Sequence, residues 1–369
     1  MEKVIFKRAS YDYKILKPIL SEMIGILADG LIQKGTRVLI KPNLLLPAKP
    51  EKAVLTHPLV LRGVAEYVLE KGGQPLIADS PAMGPFERIL KQGGYRRAFE
   101  NLDVEFRAFG TSVKTDIGKP FGEIDIAKEA AETDIIINLP KLKTHAQMLF
   151  TLGVKNLFGC IVGMKKPEWH LRTGVDRERF AELLVRIHQA VNPSLTIIDG
   201  ILAMEGQGPG KGGIPRHLGV LAGSRHAPSA DMAICQMLET DPDMLPTHKA
   251  AKALGLIGDD VTVIGDFYQV RDFRLPVLTQ LTLGPGPLRR FMRKHMIQRP
   301  LADHHACKQC GECSKYCPAK AVFPGEKQIQ FDYDKCIRCY CCVEICPHGA
   351  LRAAETLPGK VMRLMKFEV

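Results

Sequence analysis

Short apolar runs alternate with longer stretches of helical periodicity over the first 270 or so residues of the chain. Val4-Ile5-Phe6 opens the series, and a helical pattern runs from about Lys14 to Leu31. Val38-Leu39-Ile40 reads as a buried strand. Pro58 to Lys71 reads as a helix, with Thr56 near its N-cap and Gly72-Gly73 at its end. Leu76-Ile77-Ala78 is a strand, Phe86 to Gln92 a helix, and Val104-Glu105-Phe106 a short strand. Ile135-Ile136-Ile137 is the clearest strand of the set. A helix follows from Glu178 to Val191, stopped before Pro193, and Leu195-Thr196-Ile197-Ile198 is the next strand. Leu218 to Leu221, a helix from Pro228 to Leu238, and Val261 to Ile264 close the pattern. Continuous apolar strands separated by helices predict an α/β fold, a mainly parallel sheet covered by helices on both faces.

Ligands of an open α/β sheet bind beyond the carboxyl ends of its strands, and polar residues collect at those ends here. The first gives Lys41-Pro42-Asn43, the second Asp79-Ser80, and the third Asn138-Leu139-Pro140-Lys141-Leu142-Lys143-Thr144-His145. The fourth gives Asp199-Gly200, then Glu205, Gly206, Gly208 and a glycine-rich stretch to Gly213. Lys155 and Asn156 lie between the last two, and His57 opens a helix after the Lys41 loop. Read together, Lys41, Lys141, Lys143 and Lys155 converge with His57 and His145 on one cleft suited to an anionic small molecule. Each member has a plainer reading. Asp79 and Asp199 would serve as caps or loop anchors, and a lone histidine is more often a hydrogen-bonded structural residue. The 206–213 stretch would close over a ligand or be only a mobile turn. Trp169-His170 falls in a polar stretch, Lys165 to Asp176, that reads as a loop. Neither a phosphate-binding Gly-x-x-x-x-Gly-Lys-Ser/Thr loop nor a strand–Gly-x-Gly-x-x-Gly–helix unit is present.

The segment 271–302 reads as a connection that turns basic. Arg289, Arg290, Arg293, Lys294 and Arg299, interleaved with Phe291, Met292, Met296 and Ile297, would form a basic amphipathic helix. Such a helix is either solvated or docks an acidic partner or a membrane surface. The formal net charge is +11. No motif for binding nucleic acid accompanies it. The first residues lack a signal-peptide core and no long apolar run occurs, so a cytoplasmic protein with no transmembrane segment is expected.

Residues 303–352 differ in kind. Cys307-x-x-Cys310-x-x-Cys313-x-x-x-Cys317-Pro318 recurs as Cys336-x-x-Cys339-x-x-Cys342-x-x-x-Cys346-Pro347. The halves match beyond their cysteines, since Cys317-Pro-Ala-Lys-Ala-Val mirrors Cys346-Pro-His-Gly-Ala-Leu. Zinc sites also use Cys-x-x-Cys but do not need a Cys-Pro ending twice. A disulfide framework does not suit the reducing compartment expected for this chain. The run resembles the two-cluster bacterial ferredoxins, in which each half gives three thiolates to one [4Fe–4S] cube and its fourth to the other. That resemblance implies one cluster on Cys307, Cys310, Cys313 and Cys346, and a second on Cys336, Cys339, Cys342 and Cys317. Cys341 would be a spare thiol, or would exchange with Cys342 as a ligand. A tail at 353–369 would lie back across the α/β unit or fray.

The remainder carries a second resemblance. Lys41-Pro-Asn-Leu, Thr56-His-Pro, Asp79-Ser, Asn138-Leu-Pro-Lys-Leu-Lys-Thr-His, Gly153-Val-Lys-Asn-Leu-Phe-Gly and Met204-Glu-Gly-x-Gly-Pro together resemble a broad prokaryotic family of unknown function. Its members are often fused to a ferredoxin pair, and it is distantly similar to the nickel-pincer lactate racemase group. Three readings follow. The first is a ferredoxin-linked oxidoreductase passing electrons to an anionic substrate, a flavin or another redox cofactor in the cleft. In it His57 and His145 supply protons and Lys41, Lys141 and Lys143 hold the anion. Asn43, Asp79, Lys155, Asn156, Asp199, Glu205, Gly206 and Gly208 then frame the bound group. The second is an electron carrier whose α/β domain docks a protein partner in redox exchange. The third is a non-redox isomerase or hydrolase with structural clusters.

Overall fold

The computed structural model describes residues 2–173, 176–278, 285, 288, 291–292 and 295–364, with the side chains of 362–364 left aside. β1 (Lys3–Arg8) leads to α1 (Tyr13–Leu27), which Asp12 caps by accepting from the Lys14 N–H at 3.0 Å. The helix stops four residues short of the expected Leu31, because the chain turns at Gly30 with φ +70°. β2 (Arg37–Pro42), α2 (Pro58–Glu70) and β3 (Gln74–Asp79) form the first parallel crossover. The cap of α2 is His57, whose Nδ1 accepts from the Leu59 N–H, rather than Thr56. α3 (Phe86–Gln92), α4 (Tyr95–Ala98) and β4 (Glu105–Ala108) complete that edge.

An antiparallel ribbon follows, β5 (Ser112–Asp116) with β6 (Glu123–Ala127), which buries Ile124 and Ile126, then α5 (Lys128–Glu132). β7 (Ile135–Leu139) is central and buried along its whole length. β8 (Lys141–His145), β9 (Leu149–Thr151) and the single turn α6 (Gly153–Asn156) form a compact excursion. The polar stretch expected to be a loop is a helix, α7 (Lys165–Thr173), with Trp169 and His170 buried. Then come α8 (Arg177–Val191), the long hairpin β10 (Leu195–Gly206) and β11 (Gly213–Ser224), α9 (Ala227–Met237), α10 (Pro246–Ala253) and β12 (Thr262–Gly265).

The strands form one sheet in the order β12-β1-β11-β10-β7-β2-β3-β4, with β8 added beside β10 and β9 beside β8. β4, β3, β2, β7 and β10 run parallel, as the apolar strand pattern predicts. β11 is antiparallel to both β1 and β10, so the sheet is mixed. Alternation along the strands serves both faces. Val38 and Ile40 pack with α1 and α2, while Leu39 points to the core formed with α8.

The cysteine module begins with β13 (Arg299–Ala302), which pairs with β16 (Leu351–Ala354) and encloses the whole cysteine run. Arg299 therefore belongs to a strand, with its guanidinium over the Tyr333 ring, and not to a helix. Arg289, Arg290, Arg293 and Lys294 lie outside the described residues. Between the two strands lie α11 (Glu312–Lys315), the ribbon β14 (Val322–Phe323) with β15 (Gln330–Phe331), and α12 (Cys341–Ile345). α13 (Leu357–Leu364) follows, and its Gly359 sits against the Met296 carbonyl.

Candidate functional site

The sequence repeat is a structural repeat. The Cys307 N–H donates to the Asp303 carbonyl, and the Cys336 N–H donates to that of Asp332. Both Cys-Pro corners place a backbone N–H on the sulfur. Ala321 donates to Cys317 Sγ at 3.2 Å, and Ala350 to Cys346 Sγ at 3.3 Å. Two separate cavities result. One is lined by Cys307, Cys310, Cys313 and Cys346, the other by Cys317, Cys336, Cys339, Cys341 and Cys342. Four or five sulfurs around each cavity, with N–H donors to thiolates, fit a cube of iron and sulfide. Cys310 is exposed at the first cavity, whereas Cys339 is buried at the second.

The strand-end residues form two groups. The first is closed on itself. Lys41 Nζ lies 2.9 Å from Asp79 Oδ1, and Lys141 Nζ 2.8 Å from Asp199 Oδ2, all four residues being buried. Asp79 also accepts from the N–H groups of Leu44 and Ser80. Asp199 accepts from Tyr11 Oη and from the His57 N–H, and Lys141 donates to the same tyrosine oxygen at 2.8 Å. Burial raises the Asp199 pKa, but Lys141 and the backbone donors outweigh it and hold the group below the usual carboxylate range. The His57 ring stacks on Tyr11 at 3.5 Å, and burial lowers its pKa to about 4. A chain of amides ties the strand ends together. Asn43 Nδ2 donates to Asn156 Oδ1, and Asn156 Nδ2 to Asn138 Oδ1.

In the second group, among the described residues, no lysine is ion-paired at contact distance. Lys143 Nζ donates to the Val54 carbonyl at 2.7 Å, and burial lowers its pKa to about 7. Lys155 is 7% exposed and rests with its ammonium 4.9 Å from the Phe158 ring and 5.8 Å from that of Phe180. Lys166, from α7, donates to the Ser80 carbonyl, and burial lowers it to about 8. His145 Nδ1 accepts from the N–H groups of Gln147 and Met148, at 3.1 and 3.3 Å, while its Nε2 has no hydrogen-bond partner. Burial, then the charges of Lys155, His170 and Lys143, keeps His145 well below its ordinary pKa. The ring is therefore neutral with its proton on Nε2. His170, tilted against the Phe180 ring with centroids 4.3 Å apart, is held neutral by burial and leaves Nδ1 without a partner.

The cysteine module closes this second group. Glu344 on α12 brings Oε2 to 3.7 Å from His145 Nε2, and it is the first opposite charge felt by both Lys143 and Lys155. Cys341, on the same helix as Glu344, lies on the wall of the second cavity. The glycine-rich loop is the joint. A Cβ on Gly208 would lie 2.3 Å from the Thr144 carbonyl oxygen, and one on Gly210 2.4 Å from that of Glu344. Gln207 Oε1 accepts from the Ala353 N–H. The loop is thus clamped between β8 and α12 and is not a mobile turn. Glu205 lies apart from both groups, paired with Arg216 at 2.9 Å and Arg274 at 3.5 Å, and the Gly206 N–H donates to the Arg274 carbonyl. Tyr11, Lys166 and Glu344 were not named from the sequence, while Asn138 was named there only within the third strand end and His170 only beside Trp169 in a stretch read as a loop.

Residues 38–236 match the family described as "Domain of unknown function (DUF362)". The chain belongs to the DUF362 family. Residues 299–347 of this DUF362 protein match the 4Fe-4S dicluster domain, so the C-terminal module is a ferredoxin-like 4Fe–4S domain. The chain is 42% identical over 244 residues to the thylakoid-associated protein sll1697 of Synechocystis sp., which covers 65% of this chain and 74% of that protein. Pyruvate synthase subunit PorD of Methanocaldococcus jannaschii is 35% identical over 54 residues, 14% of this chain and 63% of that one. Its counterpart of the same name from Methanothermobacter marburgensis is 33% identical over 54 residues, 15% of this chain and 63% of that one. Among solved structures, the lactate racemase apoprotein from Thermoanaerobacterium thermosaccharolyticum aligns with a TM-score of 0.40 and 14% identity, over 62% of this chain and 55% of that one. No residue of the site is carried across at that score. The DUF362 protein is an iron–sulfur protein of the electron-transfer kind. Among the described residues no helix is long and apolar enough to cross a membrane.

Proposed function

We propose that this DUF362 protein is an electron-transfer oxidoreductase that acts on a small anion at the Lys143–His145–Lys155 group. Cys307, Cys310, Cys313 and Cys346 would hold one [4Fe–4S] cluster, and Cys317, Cys336, Cys339 and Cys342 the other. The clusters supply single electrons when bound. The observation that carries the reading is the position of α12: Cys341 on this one short helix lines the second cavity, and Glu344 from the same helix brings its carboxylate to 3.7 Å from His145 Nε2. Exposed Cys310 marks the first cavity as the side where a protein partner in redox exchange would dock. Lys143, with its pKa at about 7, is suited to give up or take a proton near neutrality. Lys155 and the His145 Nε2–H would orient and neutralise the anion.

A test uses anaerobically reduced protein and the small molecules of a cell extract, split on an anion-exchange resin. The visible absorbance of the oxidised clusters should return with the acidic fraction, and Lys155→Met should abolish that return. Return with the protein fraction alone would contradict the proposal. It would favour an electron carrier, a reading supported by the pyruvate synthase relatives named above.

A further inference from the structure

We infer that the Lys143–His145–Lys155 group is a carboxylate-binding site, and that Glu344 of the ferredoxin module stands in for the bound carboxylate until a ligand displaces it. The inference rests on the proposed function for its location and adds the chemical class of the ligand. Three observations support it. First, His145 is 2% exposed, and its Nε2–H is a fixed neutral donor without an acceptor. A buried N–H left without a partner costs about 1–3 kcal/mol, so its retention calls for an acceptor. Second, Lys155 is nearly as buried, and its ammonium stands over two aromatic faces. Such contacts tolerate a cation while leaving its N–H donors open to an anion.

Third, the group that faces the His145 Nε2–H is itself a carboxylate. Glu344 Oε2 stops 3.7 Å from His145 Nε2, beyond hydrogen-bond reach, and its side chain is 16% exposed. The lysines of the first group are already paired. Lys41 and Lys141 there are each matched by an aspartate, at 2.9 and 2.8 Å. A carboxylate on a small molecule can come closer than one tethered to α12, and it would satisfy both His145 and Lys155. Its single negative charge and paired oxygens match what Glu344 presents. Inorganic phosphate, with a higher charge and a tetrahedral shape, does not.

Calorimetric titration of the oxidised, cluster-loaded protein with sodium acetate tests this without any turnover. A null result would therefore bear on the binding site and leave electron transfer to the acidic fraction to be judged separately. The expected result is saturable binding of acetate, tighter than that of inorganic phosphate. Glu344→Gln removes the competing charge at constant size and should tighten acetate about tenfold, a change of about 1.4 kcal/mol. Lys155→Met should weaken acetate at least as much, and Lys155→Arg should restore it. Iron content and the visible spectrum report whether each variant is intact. No acetate binding to wild type or to Glu344→Gln, phosphate binding tighter than acetate, or equal affinities in wild type and Lys155→Met would each overturn the inference.

Discussion

Glu344 and His145 meet across the junction of the two modules, carboxylate oxygen to imidazole Nε2 at 3.7 Å. The contact joins a helix that carries a cysteine of the second cavity to a strand end of the α/β sheet. The ferredoxin-like module is not tethered beside the sheet but forms one wall of its cationic site.

The closed group predicts a stability effect. Lys141 and Asp199 are wholly buried and paired, and removing one partner leaves a buried charge uncompensated. Asp199→Asn should cost about 3–5 kcal/mol, read as a shift of the urea midpoint. The double variant Lys141→Met/Asp199→Asn should recover part of that loss.

Lys143 predicts a pH dependence. Its folded pKa of about 7 lies below the ordinary 10.5, so between those values the unfolded chain binds more protons. Stability then rises with pH across that window, and the penalty of the buried charge is fully present below pH 7. Lys143→Met should flatten the rise by about 1.4 kcal/mol per pH unit. Urea titrations at pH 7 and pH 9 would show it.

The cysteine assignment predicts distinct metal contents. Wild-type protein purified without oxygen should hold about eight irons per chain. Cys310→Ser should lower that to about four, while Cys341→Ser should leave it unchanged. Loss of iron in the Cys341 variant would make that residue a ligand.

The joint predicts a packing effect. Gly210→Ala places a methyl group against the Glu344 carbonyl, where backbone cannot yield cheaply. Destabilisation of about 1–3 kcal/mol is expected, with faster amide exchange across β13 to β16 than elsewhere.

Much of this architecture was legible in the sequence because burial leaves a mark there. Ile135-Ile136-Ile137 sits between two helical layers, so every position is apolar and the strand announces itself. The cysteine spacing is equally plain, since iron ligation tolerates no drift. The β5–β6 ribbon left a fainter mark: Ile124 and Ile126 alternate with Glu123 and Asp125 and are buried, but the strand is five residues long and its partner β5 offers only Val113 as an apolar residue. α7 reads as a loop because the residues it buries, Lys166, Trp169, His170 and Thr173, are mostly polar. The strand-end lysines and aspartates were visible as a set, but their partition was not. Which lysine meets an aspartate depends on the bulge in β10 after Gly200 and on Tyr11 reaching in from the start of α1. Glu344 was hidden for a different reason. Its role arises only when α12 docks on β8, and no local pattern reports a contact between modules.

The most direct measurement is a pair of redox titrations, on wild type and on Lys155→Met, at a pH where the lysine is protonated. Removing a positive charge beside one cluster should lower its midpoint potential by tens of millivolts and leave the other cluster unmoved. Two potentials both unchanged by the substitution would contradict a cluster facing the cationic site, and with it the central claim.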